Sequence, residues 1–414
     1  MDSSLPTPLP KLLNPEVSIP QVSSPEVSII VPARNEEASL GACLESLTAQ
    51  TGVTFEIVVV DDASTDRTRE IAQGFAGVRA ISPRPLHEDG AGKKWTGKNN
   101  AMIAGAKAAS APWLLFTDAD TVHLPGSLAR ALEEAKKERA DLLSYSPEQV
   151  VVTFAERAVM PVIFGELAAH YPPRKVRDRN SGQGSRQGSR QTSRQGSRQG
   201  SGIAAANGQY ILVRRAAYDA VGGHAAVATE ILEDVALARL FRNAGRRLYF
   251  RYGGDAVRTR MYRNWAQLRE GWTKNLALLF PRPARLALQS VFVWFVAWWC
   301  VAWFTIAIAA SGVLSRHFVW VAPAALCLLV YGLLVYRRIR AAHFTTANNL
   351  LAIAVGLPMF AYLLLRSKKA HKNGRVSWKG RTYDVGLPGE GTPAEMQAAK
   401  PNSRIENSGL RTES

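Results

Sequence analysis

Ile57-Val58-Val59-Val60-Asp61-Asp62-Ala63-Ser64-Thr65-Asp66 is the stretch on which the fold turns. Four β-branched residues in a row offer no polar face to water, so they read as a strand covered on both sides, as in a parallel sheet flanked by helices. The sudden change to short acidic and hydroxylated residues marks where that strand ends and a turn begins. Upstream, Val27 to Val31 has the same two-sided apolar character and ends in Pro32-Ala33-Arg34-Asn35-Glu36. Between the two runs, Leu40, Cys43, Leu44 and Leu47 recur at helical spacing, and Gly52 follows as a stop. Downstream, Val78 to Ile81 and Trp113 to Phe116 read as further strands with a helix from about Asn99 to Ala109 between them. Pro125 suits the first position of a helix running through Leu128, Ala131 and Leu132. The alternation predicts an α/β domain of parallel strands joined by crossover helices.

The chain has 414 residues, 47% of them hydrophobic, and a formal charge of +17, an excess that suits anionic lipid headgroups, nucleotide phosphates or nucleic acid without choosing among them. Cys43, Cys300 and Cys327 have no metal-ligand spacing and read as packing residues in a reducing compartment. Met1 to Pro25 lacks the basic start and apolar run of a secretory signal, which places the domain that follows in the cytosol. The repeat SGQGSRQGSRQTSRQGSRQGSG at Ser181 to Gly202 has no apolar face and reads as a disordered insertion.

Three apolar stretches follow: Leu286 to Ser315, Phe318 to Tyr336 and Phe344 to Leu365, each near or above the roughly 20 residues that cross a bilayer as a helix. The third contains Asn348, Asn349, Gly356 and Pro358 and reads as a full span or as a broken, re-entrant helix. Its orientation carries a conflict. Three full spans from a cytosolic domain put the tail outside, yet Arg366, Lys368, Lys369, Lys372 and Arg375 favour the inside.

The chemistry collects at the predicted carboxyl ends of strands, where open α/β sheets bind ligands. Asp61 and Asp62 can accept hydrogen bonds from a nucleobase N–H and ribose hydroxyls, while Ser64 or Asp66 can cap the next helix. Asp118-Ala119-Asp120 places two carboxylates where a buried strand emerges, a set that suits Mg²⁺ or Mn²⁺ shared with substrate phosphates. Glu233-Asp234 opens a helix carrying Val235, Leu237, Leu240 and Phe241, where the pair either serves a reaction or complements the helix dipole. Lys98 at a helix start is poorly matched to the dipole, which favours a ligand role over a solvated one. His224 beside Gly222 and Gly223 reads as structural, and Arg258, Arg260 and Arg263 meet either a diphosphate or lipid phosphates. Phe154 to Tyr171 offers an apolar surface for the bilayer or for the core.

Taken together, VSIIVPARNEE, EIVVVDDASTDRT, WTGKNNAMIAGAKAA, LLFTDAD, AAANGQYILVRRAAYDAVGGH, EILEDVALA, RTRMYRNW and SWKGRTY resemble the family 2 glycosyltransferases, which have the GT-A nucleotide-diphospho-sugar transferase fold. Within that family the chain is most similar to membrane-bound enzymes of carotenoid or hopanoid glycosylation. The resemblance implies nucleotide contacts for Pro32, Asn35, Glu36, Asp61, Asp62 and Lys98, metal contact for Asp118 and Asp120, an acceptor-side Glu233, and Asp234 as catalytic base. It implies an inverting, metal-dependent transferase that uses a nucleotide-sugar donor, expected to be a UDP-sugar, and a membrane lipid or isoprenoid acceptor. Arg263-Asn264-Trp265 departs from the Gln-x-x-Arg-Trp signature of the processive synthases, which favours transfer of one sugar over polysaccharide synthesis. A catalytically inactive scaffold is disfavoured because the acidic residues are all present, and no nucleic-acid partner is expected. The resulting plan is a disordered segment over 1–26, a transferase domain over 27–258 with an insertion at 180–202, an interfacial helix over 259–284, two or three transmembrane helices over 285–366 and a basic tail over 367–414. The expected location is the inner membrane, multi-pass, with a cytoplasmic catalytic domain.

Overall fold

The structure, a computed structural model, describes residues 24–86, 95–177, 203–313 and 321–384. The expectations for the 180–202 insertion, nearly all of 1–26 and the end of the 367–414 tail fall outside the described residues.

The chain begins with β1 (Val27–Ala33), α1 (Leu40–Thr48), β2 (Phe55–Asp61), α2 (Thr68–Gln73), β3 (Val78–Ile81), α3 (Gly97–Ala108) and β4 (Trp113–Phe116). It continues through β5 (Thr121–His123), α4 (Ser127–Lys137), β6 (Leu142–Ser146), β7 (Glu148–Gln149), α5 (Phe154–His170) and α6 (Pro173–Arg177). After residue 202 come β8 (Ile211–Arg214), α7 (Arg215–Ala220), α8 (Glu233–Asn243), β9 (Leu248–Tyr252), β10 (Val257–Thr259) and α9 (Trp265–Leu279). The C-terminal part holds α10 (Pro283–Val313), α11 (Val321–Arg340), α12 (Thr346–Leu351), α13 (Leu357–Lys372), β11 (Arg375–Trp378) and β12 (Arg381–Asp384).

The main sheet has the order β3-β2-β1-β4-β8-β6-β9, a GT-A-like mixed α/β arrangement. Strands β1, β2, β3 and β4 are mutually parallel, as the apolar runs require. Strand β8 departs from the all-parallel expectation: it runs antiparallel to both β4 and β6. Alternate residues of each central strand enter opposite layers. Ile29, Val31 and Val59 pack with Leu40, Leu44 and Leu47, while Ile30, Val58 and Val60 pack with Met102, Ala106 and Phe241. That two-sided burial is why the sequence shows unbroken β-branched runs. Helix α4 begins two residues later than Pro125 suggests, because Gly126 takes a left-handed conformation (φ 65°) and acts as the cap.

A third apolar cluster joins α5, α9 and α13. Val159, Met160, Val162 and Ile163 of α5 are buried in it, so this segment packs as core. Trp272 of α9 donates from Nε1 to Met160 Sδ at 3.4 Å, and Ala277 N donates to Ser367 Oγ at 2.9 Å. The third apolar stretch runs as α12, a π-helical turn at Ala352–Gly356 and α13. Its irregularity has a chemical cause. Pro358 has no N–H for the carbonyl four residues earlier, that of Ala354, and Trp294 Nε1 of α10 donates to that oxygen at 2.7 Å instead. Gly356 lies against the backbone of α5, where a Cβ would overlap the Ala158 carbonyl.

Pro283–Ala309 and Thr346–Lys372 are, among the described residues, two helical stretches long and apolar enough to cross a membrane. The first is largely exposed, whereas the most apolar part of the second is nearly half buried. Both the exit of α11 and the entry of α12 are fastened to α5: Arg338 pairs with both oxygens of Glu166 at 2.7 Å, and Arg157 Nε donates to Asn348 Oδ1 at 2.9 Å. Of the cysteines, Cys43 and Cys300 are buried as packing residues, while Cys327 is exposed on α11.

Candidate active site

The carboxyl ends of β1, β2 and β4 open into a cleft of about 750 Å³. Pro32, Asn35, Glu36, Asp62, Lys98, Asp118, Asp120, Glu233 and Asp234 all line it. Asn35 adopts a positive φ of 51°, and its side-chain oxygen accepts from Thr65 N at 2.9 Å, tying the loop after β1 to the loop after β2. Asp61 does not join the lining. It is adjacent to Asp62 in an extended segment, so the two side chains leave in opposite directions, and Asp61 Oδ1 accepts from Ser64 N at 3.1 Å. Asp66 accepts from Thr68 N at 3.0 Å and Glu37 N at 3.1 Å, holding the start of α2.

Lys98 lies in the first turn of α3, behind the Thr96 cap, and its ammonium sits 2.8 Å from both Asp118 Oδ1 and Glu233 Oε1. Burial alone would depress this ammonium, but the two carboxylates outweigh it and hold the group well above the usual lysine range. One lysine thus links the acidic motif after β4 to the acidic pair that opens α8. Asp120 is half-buried, but its Oδ1 is shielded from solvent and has no hydrogen-bond partner among the described residues. Burial first, and the nearby Asp118 second, push its carboxyl up to about 7. A carboxylate oxygen so placed suits a cation, and the pair Asp118 and Asp120 offers the hard oxygen ligands that Mg²⁺ or Mn²⁺ shares with phosphates. Among the described residues no group of three His, Cys, Asp or Glu side chains assembles as a self-sufficient metal cage.

Asp234 accepts from Gly208 N at 2.9 Å and from Val235 N at 2.7 Å, so both carboxylate oxygens are fixed by backbone donors. Even so, burial and then the neighbouring Glu233 raise it to about 6. His224 is structural: its Nδ1 lies 2.9 Å from Tyr218 Oη, its ring packs on Phe116, and burial lowers it to about 4. Arg258 is paired with Glu148 at 2.7 Å, whereas Arg260 and Arg263 line the cleft. The sequence reading assigned no role to Gly208, Lys274, Trp378, Lys379 and Tyr383, all of which line the cleft. The last three belong to the SWKGRTY segment, whose distance in sequence from the acidic motifs concealed its place beside them.

A GT-A-like sheet whose strand ends, with the starts of α3 and α8, gather acidic residues around one lysine is the architecture of a nucleotide-sugar transferase. The glycosyl transferase family 2 model matches residues 28–219 and the glycosyl transferase family 21 model matches residues 189–390. The chain is a glycosyltransferase that transfers a sugar from a nucleotide-sugar donor, and its N-terminal part matches family 2. It is similar to the 4,4'-diaponeurosporenoate glycosyltransferase of Staphylococcus aureus strain MRSA252, with 27% identity over 369 residues covering 87% of this chain and 88% of that protein. The protein of the same name from strain USA300 is 26% identical over 368 residues, with the same coverage. Among solved structures, a mannosyltransferase from Pyrobaculum calidifontis in complex with GDP-Man and Mn²⁺ aligns at a TM-score of 0.43 and 16% identity, covering 84% of this chain and 87% of that one.

Proposed function

We propose that the enzyme is an inverting transferase that moves one sugar from a UDP-sugar to a membrane lipid of isoprenoid type, with its catalytic domain on the cytoplasmic face. The observation that carries the lipid acceptor is the mixed lining of the cleft. Asp118, Asp120 and Asp234 share it with Phe164, Leu167 and Leu279 of α5 and α9, the helices that pack on the C-terminal apolar part. An apolar chain entering along those helices can bring its polar head to Asp234 without leaving apolar surroundings. The S. aureus relatives are named for an acceptor of this kind.

Asp118 and Asp120 would hold a divalent cation, which supplies charge neutralisation to the departing nucleoside diphosphate. Glu36 and Asp62 contact the nucleoside, with Asn35 fixing the loop that carries Glu36. Gly208 N and Val235 N hold the Asp234 carboxylate in one orientation, so that it can take the proton from an acceptor hydroxyl as that oxygen attacks the sugar. Lys98 balances Asp118 and Glu233 and keeps the acceptor-side pair from carrying two uncompensated charges.

Helices α10 and α11 fit a there-and-back crossing, because α10 starts just after α9 and α11 ends on α5. The Thr346–Lys372 stretch, bonded to α5 at its start and to α9 near its end, then stays on the catalytic side, and the basic tail lies inside. Incubation of the detergent-purified protein with radiolabelled UDP-sugars, Mn²⁺ and an isoprenoid alcohol tests the reading. Label should enter the organic phase as a single-sugar lipid. Label in a water-soluble polymer, or none in lipid with any donor, overturns it.

A further inference from the structure

The hairpin formed by β11 and β12 starts three residues after α13 ends, yet it reaches the far side of the molecule's sequence. Arg381 pairs with both oxygens of Asp62, and Lys379 pairs with Glu36 and donates to the Arg34 carbonyl at 3.2 Å. Arg34 Nε in turn donates to the Lys379 carbonyl at 3.4 Å, so the hairpin tip and the loop after β1 are bonded in both directions. The approach is built into the helix start opposite: a Cβ on Gly97 would overlap the Arg381 guanidinium. Trp378 has two cations near its ring, with Lys274 Nζ 5.0 Å and Lys379 Nζ 5.9 Å from its centre. Trp378, Lys379 and Tyr383 face the cleft alongside Glu36 and Asp62.

We propose that this hairpin is a wall of the donor site, in which Lys379 contacts the diphosphate of the bound nucleotide and Arg381 is a positioning residue that holds Asp62 for the nucleoside. The inference rests on the donor reading above. An acidic cleft needs cations to admit a diphosphate, and Lys379 brings one to the rim beside Glu36. Its ammonium has three donors, and two serve Glu36 and the Arg34 carbonyl, which leaves one for a phosphate oxygen. Arg381, with a planar fork matched to a carboxylate, fixes the direction of Asp62 as a lysine could not. The donor site is therefore completed only by chain that lies beyond the apolar helices, which couples nucleotide binding to the seating of α13.

Calorimetry and competition binding on the full-length protein, with UDP, GDP and uridine in the presence of Mn²⁺, test this. Lys379→Ala should weaken UDP roughly tenfold or more, the scale of one hydrogen bond to a charged group, and weaken uridine by clearly less. Arg381→Ala should weaken both, with Arg381→Lys restoring only part. In the unaltered chain, the amides of Val376 to Tyr383 should exchange more slowly when UDP is added, a reading that needs no variant to fold. Unchanged UDP affinity in both alanine variants, or unchanged exchange, overturns the proposal. Tighter UDP binding would make the hairpin a plug and overturn it as well. Failure of the unaltered protein to bind either nucleoside diphosphate would instead remove the donor reading on which it stands.

Discussion

Asp234 receives hydrogen bonds from two backbone N–H groups, which favour its ionised form, yet burial and Glu233 keep it near 6. The balance leaves it ionised at neutral pH with a proton affinity above that of an ordinary aspartate, which is what a general base needs. In the proposed mechanism, as pH falls through about 6 the carboxylate takes a proton and can no longer accept one from the acceptor. A pH–rate profile should therefore show kcat/KM falling on the acid side of about pH 6, and a profile flat down to pH 4.5 would take this role from Asp234. Asp120 has different work. Asp120→Asn should weaken UDP binding in Mn²⁺ and abolish the difference that a chelator makes, because one of the two proposed ligand carboxylates is gone. Calorimetry with and without chelator reads that directly, and an unchanged chelator effect argues for another metal seat.

Among the elements, the π-helical turn between α12 and α13 is the most exacting fit. Gly356 allows the turn to lie on the backbone of α5, and Pro358 leaves the Ala354 carbonyl for Trp294. Gly356→Ala should lower thermal stability by about 1–3 kcal/mol, since a methyl group there meets backbone that cannot rotate away; a melting temperature equal to that of the parent would show that the two helices separate easily. The sequence showed Gly356 and Pro358 as breaks in an apolar run but not what they allow, because the partner, Trp294, lies in another helix. Strands β1, β2 and β4 were legible for the opposite reason: two-sided burial writes itself into consecutive residues. Strand β8 was not, since antiparallel direction is set by neighbours and leaves no local mark. The acidic residues of the cleft stood out as motifs at strand ends, whereas the Lys98 bridge and the hairpin pairs join positions more than a hundred residues apart.

At the scale of the whole molecule, the catalytic body and the C-terminal helices share one apolar cluster. The transferase sheet, the cleft and the hairpin on Asp62 are held together through α5, α9 and α13. In the proposed topology this arrangement puts the hairpin and the loop after β2 on one side of the membrane. Ser64→Cys and Ser377→Cys, each made in a chain with Cys43, Cys300 and Cys327 replaced, should label equally with an impermeant maleimide in inverted vesicles and little in intact cells. Opposite labelling of the two would require a full third crossing.

The central claim is that donor binding and proton removal are separate tasks of one cleft, and Asp234→Asn divides them because it keeps the shape of the side chain while removing its basicity. Paired measurement of UDP affinity and of single-turnover sugar transfer to lipid, on the parent and on Asp234→Asn, tests it most directly. The account predicts donor affinity within about twofold of the parent and transfer slower by roughly 10² or more, the usual scale of a general-base contribution. Near-normal transfer, or loss of donor binding together with transfer, would contradict it.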